Sequence, residues 1–89
     1  MTSPDPRNVD ALLARVRAGE SIEVDLHLDL FPDTRVEGSE VRQGRDGRLE
    51  HVTRFCEFAS GHGWSVEQRQ VAPLDEAAAR EVLRYAKAR

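Results

Sequence analysis

The chain has little cysteine, little lysine and few aromatic residues, and it has no long apolar run. A single cysteine, Cys56, excludes an internal disulfide and any zinc site built from several cysteines. No apolar stretch approaches the roughly 20 residues that a membrane helix needs. The N-terminus lacks the basic and apolar regions of a signal peptide. These absences predict a cytoplasmic protein that does not enter a membrane.

Motifs of common enzymes are also missing. The chain contains no G-x-G-x-x-G, no phosphate loop and no nucleophile elbow. Cys56 and His51 offer a nucleophile and a base, but on the helix predicted for this region they point in different directions. The sequence therefore argues against an enzyme, and it predicts no cofactor.

What is present fits one small globular domain. The chain has 89 residues, of which 39% are hydrophobic and 33% are charged. Residues 1–7 contain two prolines and predict a flexible N-terminal tail. Residues 8–89 are predicted to form a single α+β domain.

A strict alternation of apolar and polar residues covers residues 22–30. Side chains of a strand point to opposite faces with a period of two. The apolar set comprises Ile22, Val24, Leu26, Leu28 and Leu30. The polar set comprises Glu23, Asp25, His27 and Asp29. We expect a strand over residues 21–31 that is packed on one side and open on the other.

The remaining elements are predicted from helical spacing, capping residues and turns. The first helix begins after Asn8 and ends at Gly19, and the last begins near Asp75. A weaker strand at 34–43 slips in phase, as a bulge at Gly38-Ser39 would produce; a shorter hairpin is the alternative. A middle helix is predicted from Asp46 to about residue 61, followed by a strand over 64–71.

The expected order is therefore α-β-β-α-β-α. It predicts a two-layer sandwich in which a small, mainly antiparallel, three-stranded sheet carries the helices on one face. This arrangement is related to the split β-α-β, or ferredoxin-like, fold without its first strand.

Charge is distributed unevenly along the chain. Residues 20–40 contain seven acidic side chains against one arginine, a net of −6, whereas residues 41–54 contain four arginines against two acids, a net of +2. The whole chain carries −3. A mildly acidic protein has no general attraction for nucleic acid, so a nucleic-acid partner is not expected.

The acidic surface is the first candidate site. An acidic face can bind a basic partner by electrostatic complementarity, and an exposed sheet edge can accept another strand. The residues predicted to bind a partner are Glu23, Asp25, His27, Asp29 and Glu37. They indicate a non-catalytic regulatory or interaction protein that binds a protein partner or a second copy of itself.

Two alternatives remain open from the sequence. Asp25, His27 and Asp29 are residue types that bind zinc or manganese, which would make the protein a divalent-metal-binding protein or enzyme. A nucleic-acid or phosphate site is the other alternative, because arginine binds phosphate with a planar fork. Its candidate residues are Arg42, Arg45, Arg48 and Arg54.

Overall fold

Two helices flank a run of five strands in the chain order. The computed structural model describes residues 8–27 and 33–87. The elements are α1 (Val9–Arg17), β1 (Ile22–Val24), β2 (Thr34–Gln43), β3 (Leu49–Ala59), β4 (Gly63–Trp64), β5 (Gln68–Leu74) and α2 (Glu76–Leu83). The fold is α+β with an antiparallel sheet, as the sequence predicted. Neither described helix is long and apolar enough to cross a membrane.

Both terminal helices form where capping and spacing predicted them. The Asn8 side chain accepts a hydrogen bond of 3.3 Å from the Ala11 amide at the start of α1, and Gly19, with a φ of 100°, follows its end. The Asp75 carboxylate accepts a hydrogen bond of 2.7 Å from the Ala78 amide at the start of α2. The apolar sides of the helices pack on one face of the sheet. The core cluster comprises Leu12, Leu13, Val16, Ile22, Val24, Val41, Leu49, Ala79, Val82, Leu83 and Ala86.

The sheet has β3 at its centre. On one side of β3 lies β2, followed by β1. On the other side β5 pairs with residues 49–55 of β3, and the short β4 pairs with residues 58 and 59. Pairing of β2 with β3 runs from Gln43 opposite Leu49 to Thr34 opposite Glu57. The register shifts between Val36 and Gly38, so the predicted phase slip is a bulge.

The middle helix predicted from Asp46 onward is wrong, because this region forms β3. The spacing of Leu49, Val52 and Cys56 resembles a helical stripe, yet in the structure it arises from a central strand buried on both faces. A strand whose side chains are buried on both faces loses the alternation that identifies a half-buried strand. The strand predicted over 64–71 is also divided into β4 and β5, with β5 continuing to Leu74, so the sheet has five strands instead of the predicted three.

The strand predicted over residues 21–31 is also shorter than expected, because β1 ends at Val24. The Asp25 amide donates a hydrogen bond of 2.8 Å to the Tyr85 carbonyl, and the Lys87 amide donates one of 3.0 Å to the Glu23 carbonyl. The C-terminal segment therefore occupies the outer side of β1. Residues 28–32 and the predicted tail at 1–7 lie outside the described residues.

Paired residues of neighbouring strands share a face, so the register defines the surface turned away from the helices. We call this surface the open face. Its residues on β1, β2, β3 and β5 are Glu23, Arg35, Gly38, Glu40, Arg42, Glu50, Val52, Arg54, Cys56, Phe58, Arg69, Val71 and Pro73.

Candidate functional site

Backbone hydrogen bonds reveal which residues of β3 face β5. At one end of β3 the Gly44 amide donates to the Arg48 carbonyl over 2.7 Å, and at the other the Phe58 amide donates to the Asp33 carbonyl over 2.9 Å. In an antiparallel pair, residues that exchange hydrogen bonds alternate along each strand. Even-numbered residues of β3 therefore bond to β2, and odd-numbered residues bond to β5.

The same alternation fixes the outer side of β5. Because Thr53 lies opposite Gln70 and His51 opposite Ala72, the backbone groups of Gln70 and Ala72 are directed towards β3. Those of Arg69, Val71 and Pro73 are directed outward. No other strand of the described residues lies beside β5. The outer side of β5 thus exposes the amides of Arg69 and Val71, while Pro73 contributes only a carbonyl.

The Arg54 guanidinium lies at the centre of the open face. It is 4.0 Å from the Glu40 carboxylate through Nε and 3.5 Å from the Glu67 carboxylate through Nη1. Its Nη2 lies over the backbone of Gly38, where there is no β-carbon. The Nε of Arg54 is buried and forms no hydrogen bond with any described residue. This arginine is thus held between two strands and the segment that precedes β5.

An aromatic pair with an arginine lies at the end of the open face that is remote from the β2–β3 turn. The rings of Phe58 and Trp64 meet edge to face with centroids 5.2 Å apart, and Cζ of Arg35 lies 4.9 Å from the centre of the Trp64 ring. Phe58 is 48% exposed and Trp64 45% exposed. Sequence reasoning missed this cluster because it placed Phe58 on the predicted middle helix and Trp64 on a separate strand.

The predicted basic residues do not form one cluster. Arg42 and Arg45 line an open depression of about 670 Å³ beside the β2–β3 turn, together with Arg69, which sequence reasoning missed. The guanidinium of Arg42 pairs with the Glu50 carboxylate at 3.3 Å. Arg48 pairs with Asp46 at 3.6 Å on the turn, and Arg54 lies farther along the open face.

The residues of the predicted acidic surface also lie apart. Glu23 is on the open face opposite Glu40, whereas Asp25 follows the end of β1 and lies 3.7 Å from Lys87. Glu37 is at the bulge, where it pairs with Arg35 at 2.9 Å. Asp29 lies outside the described residues. Their role in partner binding stays a prediction.

His27 is directed towards the face that the helices cover. Its Nδ1 shares a hydrogen bond of 2.9 Å with the Ser39 hydroxyl, which in turn lies 2.9 Å from the Thr53 hydroxyl. Ser39 is 1% exposed, so no substrate reaches its hydroxyl and the pair with His27 is structural. Ser39 and Thr53, which the sequence analysis did not single out, therefore form one hydrogen-bonded group with His27.

A second histidine borders this group. His51 is buried and its Nε2 donates a hydrogen bond of 2.8 Å to the Leu26 carbonyl. Burial lowers the pKa of His51; the bond to Leu26 raises it in part, and the neighbouring His27 lowers it. His51 and Cys56 point to opposite faces of β3, which agrees with the expectation that they do not act together.

The last candidate from the sequence analysis is a metal site. In residues 8–27 and 33–87, no three histidine, cysteine or acidic side chains are grouped as metal ligands. The proposed set of Asp25, His27 and Asp29 includes a residue outside those ranges and stays a hypothesis.

Comparisons with protein-family models, with curated proteins and with solved structures find no match for the chain.

Proposed function

We propose that the protein is a non-catalytic interaction module that binds another polypeptide by adding one of its strands beside β5. The observation that supports this is the outward direction of the Arg69 and Val71 backbone along the side of β5 that has no strand of the described residues beside it. An uncovered strand edge is a template for pairing with a further chain. Main-chain hydrogen bonds would supply affinity, and the side chains beside them would select the partner.

The side chains next to this edge suit a polypeptide. Val71 is 44% exposed and lies between Arg69 and Pro73 on the open face. Behind them the charges alternate, because Arg54 lies between Glu40 and Glu67. Such a surface offers an apolar contact flanked by both signs of charge, which favours a protein strand over a uniformly charged ligand.

A photoreactive residue in place of Val71 tests the proposal in cells of the source organism. We expect a discrete cross-linked protein with the probe at position 71. The matched control replaces Val66, which is 83% exposed and lies outside β5. Equal products from both positions, or none from position 71, would contradict strand addition at this edge.

Single-stranded nucleic acid is a second candidate, favoured by the exposed Trp64 with Arg35 above its ring. Unstacked bases pack on exposed aromatic rings, and arginine contributes to such contacts. The chain has one tryptophan, so its fluorescence reports on this position alone. Titration with a uridine 12-mer at low salt should quench Trp64 and lose this effect as salt is added. Unchanged fluorescence removes this candidate.

A further inference from the structure

We infer that the polypeptide paired with β5 is a second copy of this chain. In this arrangement, two β5 strands run antiparallel across a twofold axis that passes beside Val71. The inference rests on the proposed function, because it uses the same open edge and specifies its occupant. Three observations support it: the outward backbone groups of β5, the side chains that would face each other across the axis, and the covered outer side of β1.

The outward backbone groups of β5 are complementary to themselves in this register. Val71 lies opposite Val71 of the second copy, and the two residues exchange both amide-to-carbonyl hydrogen bonds. Arg69 lies opposite Pro73 of the second copy, and its amide donates to that proline's carbonyl. Pro73 has no amide to satisfy. Both outward amides of each strand therefore have acceptors. The outward carbonyl of Arg69 receives no amide from Pro73 of the second copy and is left to bond with water.

The side chains also match in this register. On the open face Val71 packs against its own copy, and Arg69 lies against Pro73. On the opposite face Gln70 meets Ala72, and Gln68 meets Leu74. No like charges are opposed, which matters because directly opposed like charges destabilise a strand pair. This register overlaps the whole of β5, Gln68–Leu74, in both copies; moving the axis away from Val71 shortens the overlap.

At the other end of the sheet, β1 does not offer a second open edge for pairing between copies. The outer side of β1 is already occupied by the segment from Tyr85 to Lys87. When two copies join at β5, the outermost strand at each end of the combined sheet is β1, and the outer side of β1 is covered. Closed twofold symmetry is the commonest form of homo-oligomer, and an isologous contact uses the same surface twice. Since one strand pair buries little surface, we expect a dimer that depends on protein concentration.

Sedimentation of the full chain tests this inference. We expect the mass to rise from 10.0 kDa towards twice that value as concentration increases. Val71→Lys should abolish the rise, because it opposes two lysines across the axis. Val66→Lys adds the same charge at an exposed position outside β5 and should sediment as the wild type does. Circular dichroism of each variant verifies that it is folded.

Cysteine substitutions test the register. Val71→Cys should form a covalent dimer under mild oxidation, because opposed residues of a strand pair are about 4.5–5.5 Å apart at Cα, within disulfide range. Gln70→Cys and Ala72→Cys should cross-link when mixed but not when oxidised separately. The wild type, whose Cys56 is buried, is the control. Efficient self-cross-linking of Gln70→Cys instead would overturn the Val71-centred register.

The outcomes separate this inference from the proposed function. A wild-type chain that stays at 10.0 kDa overturns self-pairing, whatever else it binds. If position 71 then cross-links to a different protein, strand addition stands with another occupant. If position 71 cross-links to nothing, both fail. A dimer that survives Val71→Lys also overturns self-pairing, because it would use another surface.

Discussion

The guanidinium of Arg54 occupies the space that a β-carbon at Gly38 would need. The same guanidinium lies 4.0 Å from the Glu40 carboxylate and 3.5 Å from the Glu67 carboxylate, so moving it away from Gly38 would disturb two ion pairs. The glycine and the arginine are therefore a matched pair across β2 and β3. Gly38 borders the bulge and Arg54 pairs with the acidic residues of the open face, so this contact joins the two features.

Gly38→Ala should destabilise the protein by up to about 1 kcal/mol, because the Arg54 guanidinium must move away from Gly38 and from its two carboxylates. In an Arg54→Ala background the same substitution should cost much less, because the clash is gone and alanine is favoured over glycine in a strand. Urea unfolding of the wild type, both single variants and the double variant gives the coupling energy. Equal costs in the two backgrounds would show that Arg54 is free to withdraw from Gly38.

The hydroxyl of Ser39 should matter more than its size suggests. It bonds to both His27 and Thr53 in a buried position, so Ser39→Ala leaves two partners without this group. The expected cost is about 1–3 kcal/mol in the free energy of unfolding. Ser60→Ala, in the exposed turn before β4, should change it by less than about 0.5 kcal/mol. A comparably small effect at Ser39 would indicate that water replaces its hydroxyl.

These two sites illustrate what the sequence could and could not predict. The helices at Val9–Arg17 and Glu76–Leu83 were predicted, because each has a capping side chain and one apolar side. The β3 strand was missed, because burial on both faces removes the alternation on which strand prediction depends. Contacts such as that of Arg54 with Gly38 join residues from different strands, so they follow only from the register.

The residues of the predicted acidic surface lie apart in the structure for a similar reason. Alternation continues through Leu30 in the sequence, but β1 ends at Val24, where the C-terminal segment pairs with it. Local pattern identified the start of the strand and not its end. Pro73 is a local sign that Gln68–Leu74 lies at an edge, because a proline in a strand is tolerated where its missing amide would face outward. The sequence analysis did not use this sign, because it ended the predicted strand at residue 71.

Stability should fall in mild acid because of His51. Burial lowers the pKa of this imidazole in the folded protein, so the unfolded chain binds the proton more readily. Its contribution is therefore complete above the ordinary histidine pKa of about 6.5 and is lost as the pH falls below that value. Urea unfolding between neutral and mildly acidic pH should show this loss in the wild type.

His51→Gln should reduce that loss of stability in acid, because glutamine retains an amide donor for the Leu26 carbonyl and takes up no proton in this range. The matched control is His62→Gln, an exposed position in the turn before β4, which should retain the wild-type dependence. The expectation for His51 is contradicted if its variant loses stability in acid as steeply as the wild type does.

The direction of the β5 backbone predicts a hydrogen-exchange pattern that requires no knowledge of the partner. In dilute solution, where the chain is monomeric, the amides of Arg69 and Val71 should exchange rapidly because they face solvent. Those of Gln70 and Ala72 should exchange slowly because they bond to β3. Strand addition at this edge should protect Arg69 and Val71 and leave Gln70 and Ala72 almost unchanged.

Residue-resolved exchange by NMR at low and high protein concentration measures both states. Uniform protection of all four amides in the dilute sample would mean that the edge is already covered within one chain, and the proposed binding surface would then be wrong.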